Sequence, residues 1–129
     1  MKLPLEFALE LHADQIATFG GLPGIRDLAG LMSSLEQPWL EVFGQSLHPS
    51  LELQAAAILF HLSRNHPMLD GNKRVAWACM ETFLLLEGFT LEIADDDAYD
   101  LVNRVAQGDV EKAELATILL AGMKEVTAK

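Results

Sequence analysis

His66-Pro67-Met68-Leu69-Asp70-Gly71-Asn72-Lys73-Arg74 is the most polar and most tightly spelled stretch of the chain, and it separates two segments that are apolar almost all round. Upstream, Leu51, Leu53, Ala55, Ala56, Ala57, Ile58, Leu59, Phe60 and Leu62 leave little polar surface; downstream, Val75 to Met80 and Phe83 to Leu86 do the same. Helices of that kind are buried on most sides. The two are expected to form the centre of a bundle, with the polar loop opening at one end of the core, a common place for a site.

The loop has the parts for phosphate chemistry. Asn72 is expected to open the second apolar helix, and a helix start leaves N–H groups unpaired and carries about half a positive charge. Gly71 lets the backbone approach a bound group, which makes an anion cradle. Lys73 and Arg74 add full charges there, the arginine as a bidentate fork. Asp70 is a candidate Mg2+ ligand, since that ion binds nucleotide phosphates through one or two carboxylates and waters. A histidine side chain can take up a proton, so His66 suits a general base. Taken singly, His66 also suits a cap on the preceding helix and Asp70 a plain N-cap. Cations in a first turn oppose the helix dipole, however, and a broken local rule points to function.

Outward from the loop, breakers divide the chain into helices. One runs from Ser50, its N-cap, through Leu51 to about Arg64, and the next from Asn72 to about Glu87, stopped by Gly88. Before them, a helix over about Leu5–Thr18 stops at Gly20, and Gly20-Gly21-Leu22-Pro23-Gly24 forms a mobile or tightly turned loop. Asp27 caps a helix to about Glu36 that Pro38 ends, and Trp39 to Gly44 reads as one irregular turn packed by Trp39 and Phe43. After them, Thr90 to Ile93 reads as a very short strand. Two last helices cover Asp95–Gln107 and Val110–Thr127, with Asp97 and Asp109 as caps. The expected fold is all-α, a single compact domain spanning residues 1–129 with about six helices.

Composition narrows the function. The chain of 129 residues is 50% hydrophobic and 22% charged, which fits an ordered domain with a real core. Its net charge of −10 would repel nucleic-acid phosphates. Yet Arg64, Lys73 and Arg74, of nine Lys and Arg in all, crowd around His66, which suggests a local anion site. Cys79 has no partner for a disulfide, no secretory signal or lipidation motif is evident, and no apolar run is long enough to span a bilayer, so a cytoplasmic location is expected. His12 and His61 read as core or interface residues, His48 as a loop residue, and Cys79 as buried filler. Trp39 and Trp77 read as packing anchors, and Asp95-Asp96-Asp97 as an acidic cap on a solvated turn.

His66-Pro67-x-x-Asp70-Gly71-Asn72-Lys73-Arg74 resembles the signature of the Fic/Doc superfamily, in which a catalytic histidine precedes an acidic residue and an anion loop opens a helix. Leu11-His12, Phe19 to Asp27, and Leu31 to Pro38 resemble the N-terminal region of its Doc (death on curing) toxins. Two departures favour the Doc branch. Fic nucleotidyl transferases usually carry glycine where this chain has Lys73, and a second arginine, a ligand for the triphosphate tail, where it has Trp77. Met68 replaces a usual phenylalanine, a mild change.

The resemblance implies the Fic/Doc topology and a Mg2+- and ATP-dependent protein kinase. The γ-phosphate would lie at the anion loop, and a threonine of translation elongation factor Tu would be the acceptor, so that translation stops. His66 would be the general base, Asp70 would orient His66 or the metal, and Gly71, Asn72, Lys73 and Arg74 would bind phosphate. Arg64 matches a basic position and would be a further binding residue. Gly20, Gly21, Leu22, Pro23 and Gly24 would form a flap over the substrate. The internal inhibitory pattern Ser/Thr-x-x-x-Glu-Gly/Asn of many Fic proteins is absent from the chain, so inhibition is expected from a Phd-like antitoxin whose C-terminal helix lies in a groove. The alternatives are a Fic-type AMP transferase and a catalytically idle helical binding protein.

Overall fold

The computed structural model describes residues 2–126. Six helices follow one another: α1 (Leu5–Phe19), α2 (Leu28–Glu36), α3 (Leu51–Asn65), α4 (Asn72–Leu86), α5 (Asp95–Gln107) and α6 (Lys112–Gly122). A 3-10 turn at Gln37–Trp39 follows α2, and four strands of two or three residues form two antiparallel hairpin-sized sheets. The all-α expectation holds. Among the described residues no helix is long and apolar enough to cross a membrane.

The two apolar helices are the centre. In α3, Ala55 to Leu59 and Leu62 are buried; in α4, Val75, Ala76, Cys79, Met80, Phe83 and Leu84 are buried. The alanine run of α3 lets α4 approach closely, and α2, α5, α6 and the 3-10 turn also pack on α3, while α1 lies against α4. Burial pushes the Cys79 thiol up to about 12, which makes it an inert filler. Trp39 closes one end of the core, its ring edge-on to Phe83 with centroids 6.1 Å apart. Caps act as expected at two helix starts: Ser50 accepts from Leu53 N at 3.4 Å and Asp27 from Gly30 N at 2.9 Å.

Four local expectations are corrected. Residues 41–46 form a hairpin, β1 (Glu41–Val42) with β2 (Gln45–Ser46), and Phe43 sits fully exposed at its tip instead of packing. The last helix stops at Gly122, because Met123–Glu125 pairs as β4 with β3 (Phe89–Leu91), and Glu92 N donates to Gly122 O at 2.7 Å. Long-range pairing wins over local helix preference there, and Thr127, the expected helix end, lies outside the described residues. Ala94 and Glu111, not Asp97 and Asp109, stand at the starts of α5 and α6, neither with a side-chain cap; Asp97 belongs to the first turn of α5, where its charge suits the dipole.

His48 is a loop residue, as expected, but a buried one. It faces His61 of α3 across Lys112, whose ammonium lies 3.1 Å from Nε2 of each ring. An ammonium only donates, so both rings accept at Nε2 and are neutral. Burial first, and then the Lys112 charge, lowers His48 below its ordinary value and takes His61 from 6.5 to about 4. The folded state therefore binds fewer protons than the unfolded one in that interval. The stabilisation is complete above pH 6.5 and lost as the pH falls towards about 4. Urea titrations of the wild type and His61→Gln should show a stability gap that narrows from neutral pH to about pH 5. A gap independent of pH would contradict this account.

Candidate active site

The junction of α3 and α4 is built by backbone geometry. His66 ends α3 in the left-handed conformation, φ 47 and ψ 57. Its carbonyl accepts from Arg26 Nε at 2.9 Å and also from Nη2, while Asn65 O accepts from Arg26 Nη2 at 2.7 Å. Pro67 O takes the N–H groups of Arg26 and Asp27, at 2.8 and 2.9 Å. One short segment thus satisfies three successive carbonyls at and just past the end of α3.

The loop closes on itself through Asn72. Its Oδ1 accepts from Met68 N at 2.8 Å and its Nδ2 donates to Met68 O at 3.0 Å, so the amide side chain staples the loop, and Met68 is buried as its anchor. Asn72 was expected to bind phosphate; its side chain is committed to the loop, leaving its backbone N–H for that role. Gly71 holds φ 74, a conformation that a side chain would oppose, and turns the chain into α4. No side chain caps α4. Asp70 is therefore not its N-cap: Asp70 Oδ1 accepts from Gly71 N at 2.8 Å, one residue too early.

The glycine-rich segment lies across this loop. Leu69 N donates to Gly24 O at 3.1 Å, and Ile25 and Met68 form a single antiparallel bridge. Leu22 N donates to Asp70 Oδ2 at 3.2 Å. Gly21 holds φ 117, and a Cβ there would stand 2.7 Å from Asp70 Oδ2, so only glycine permits this approach. All of Gly20 to Gly24 is exposed. His12 of α1 is buried and its Nε2 donates to Asp70 O at 2.7 Å.

A cleft of about 710 Å³ opens between the end of α1, the loop, the first turns of α4, and α5. His66, Asp70, Gly71, Asn72, Lys73 and Arg74 all line it. The His66 ring is exposed and makes no hydrogen bond among the described residues, Asp70 included. Lys73 Nζ donates to Asn103 Oδ1 at 2.7 Å, and the Arg74 guanidinium lies 4.5 Å above the Phe19 ring. Neither cation is ion-paired among the described residues, so uncompensated positive charge gathers at an uncapped helix start on an acidic protein. Arg64 is not brought to the cleft: its guanidinium covers the Phe60 ring at 5.2 Å, beside Gly108.

The far wall of the cleft was not read from the sequence. Trp77 and Glu81 continue the Arg74 face of α4 at spacings of three and seven, a signal the sequence did carry. Asp95, Tyr99 and Asn103 come from α5, which no local pattern connects to the loop. Trp77 therefore lines the cleft as well as packing on the core, and Asp95 is part of its wall rather than of a remote turn. Burial pushes the Glu81 carboxyl above its ordinary value; the Trp77 side chain opposes that shift and the Asp95 charge adds to it. Arg26 and His12, which hold the loop from outside the motif, were also missed as site residues.

Asp70 fits a single carboxylate contact to a hydrated Mg2+. Each of its oxygens accepts one protein N–H, which leaves lone pairs for a metal at the cleft.

Comparison with known proteins agrees with this geometry. The Fic/DOC family model matches residues 2–84, which contain α1 to α3, the glycine-rich segment, the whole motif loop and all but the last two residues of α4. Toxin Doc of Mycolicibacterium smegmatis is 41% identical over 111 residues, covering 84% of this chain and 85% of that protein. With a family match over more than half of its residues and a relative 41% identical over most of its length, this chain belongs to the Fic/DOC family.

Proposed function

We propose that this protein is a Doc-like toxin acting as a protein kinase, which transfers the γ-phosphate of ATP to a threonine hydroxyl of elongation factor Tu and so stops translation in the cytoplasm. The observation that carries the choice of kinase is the charge layout of the cleft. Both cations that line the cleft, Lys73 and Arg74, come from the first turn of α4, beside the open backbone N–H groups of Asn72, Lys73 and Arg74. Where a nucleotidyl transferase needs a cation for its triphosphate tail, this chain offers Trp77, and beyond it Glu81 and Asp95. Carboxylates there repel a polyphosphate but suit a nucleoside. A nucleotide therefore enters with its terminal phosphate at the start of α4 and its nucleoside along the acidic wall.

In the reaction, His66 takes the proton of the threonine hydroxyl as the acceptor oxygen bonds to the γ-phosphorus and the bond to the β-phosphate oxygen breaks, releasing ADP. The N–H groups at the start of α4, with Lys73 and Arg74, hold the phosphoryl oxygens as charge spreads over them. Asp70 would hold Mg2+, which would supply charge neutralisation for the nucleotide phosphates. The flap at Gly20 to Gly24 presents exposed backbone beside Leu69 and Asp70 of the motif loop for the acceptor segment. A cognate Phd-like antitoxin supplies inhibition, consistent with the missing internal inhibitory pattern, and its basic residues suit the net charge of −10.

Incubation with elongation factor Tu and Mg-ATP, followed by intact mass measurement, tests the reading. A gain of one phosphate is expected. A gain of one nucleotide would replace the kinase with an AMP transferase, and an unchanged mass would favour an idle binding protein.

A further inference from the structure

We propose that Arg26 is a positioning residue for the His66 base, an inference that rests on the transfer reaction proposed above. Its side chain grips the two carbonyls that end α3, Asn65 O and His66 O, and its backbone N–H takes the third, Pro67 O. His66 holds φ 47, a left-handed backbone that a non-glycine residue keeps only when its surroundings impose it. The ring itself has no hydrogen bond among the described residues, and Asp70 does not reach it. The backbone of His66 is thus what aims the imidazole, and Arg26 is what holds that backbone.

Arg26 also stands at the root of the flap, one residue past the Ile25–Met68 bridge. An acceptor segment that moves the flap therefore pulls on the carbonyl of the base. The Arg26 side chain makes no hydrogen bond to the start of α4, which Gly71 and the Asn72 staple hold.

Steady-state kinetics of the full chain with Mg-ATP and elongation factor Tu separate aim from binding. Arg26→Ala should lower kcat by about 10²-fold, the cost of a misplaced reacting group, with the KM for ATP unchanged. Arg26→Lys keeps one charged donor for the His66 carbonyl and should recover part of the loss. Asp27→Ala removes the cap of α2 one residue further on and should lower Tm while kcat stays at the wild-type value, as a purely structural defect does. Wild-type kcat in Arg26→Ala, or a loss confined to KM, overturns the inference. If the wild type transfers nothing, the proposed function fails separately, and nitrogen-edited NMR reads the clamp without turnover. The His66 imidazole signals should then shift or broaden in Arg26→Ala while those of His12 hold. Identical His66 signals in both proteins overturn it.

Discussion

Replacing His66 with alanine is expected to lower transfer by about 10²–10⁴-fold while leaving the fold intact. The imidazole is exposed in the cleft and bonds to nothing among the described residues, so its removal breaks no internal contact. What holds the junction is the His66 carbonyl, which alanine retains for Arg26. Circular dichroism and Tm should match the wild type. Nucleotide affinity should also persist, because the open N–H groups, Lys73 and Arg74 belong to α4. Mass measurement of the acceptor over time checks the rate, and equilibrium binding of ATP checks the cradle. Full activity in His66→Ala would remove the histidine from the chemistry.

Phe83→Ala should cost about 3–5 kcal/mol of stability, the largest loss expected from one side chain here. Phe83 is fully buried in α4, and Trp39 packs edge-on against its ring at a centroid distance of 6.1 Å. Alanine would leave a cavity that the helices around α3 and α4 cannot close without breaking other contacts. Since a domain of this size is stable by about 5–15 kcal/mol, the variant should unfold at a far lower denaturant concentration. Phe43→Ala, at the exposed hairpin tip, should change little and serves as the matched control. Urea titration decides. A loss below about 1 kcal/mol for Phe83 would mean that Trp39 does not close the core as described.

The helix order was legible because each helix carries its own signals. Ser50 and Asp27 cap α3 and α2 with their own side chains, and Gly88 follows the end of α4 with φ 92. Local chemistry failed where distant partners decide. Residues 123–125 have the composition of a helix end but pair with Phe89–Leu91, and residues 41–46 turn back as a hairpin. The same division runs through the site. The motif from His66 to Arg74 is contiguous and could be picked out directly, whereas the contacts made within it could not. The Asn72 side chain staples the loop and leaves its backbone N–H to face a ligand, and Arg64 covers Phe60 outside the cleft.

By itself, then, the order of residues determined an all-α chain, its two buried central helices and the polar, cationic start of α4, because caps, breakers and helical periodicity act over a few residues. Tertiary structure alone decided which groups support that start and which oppose it. Arg26 and His12 reach the loop from α1 and the segment after it, and Asp95, Tyr99 and Asn103 reach the cleft from α5. Those groups meet only because α1 and α5 flank α4, and the energy that places them there is the burial of apolar surface, which carries no mark at the positions it brings together.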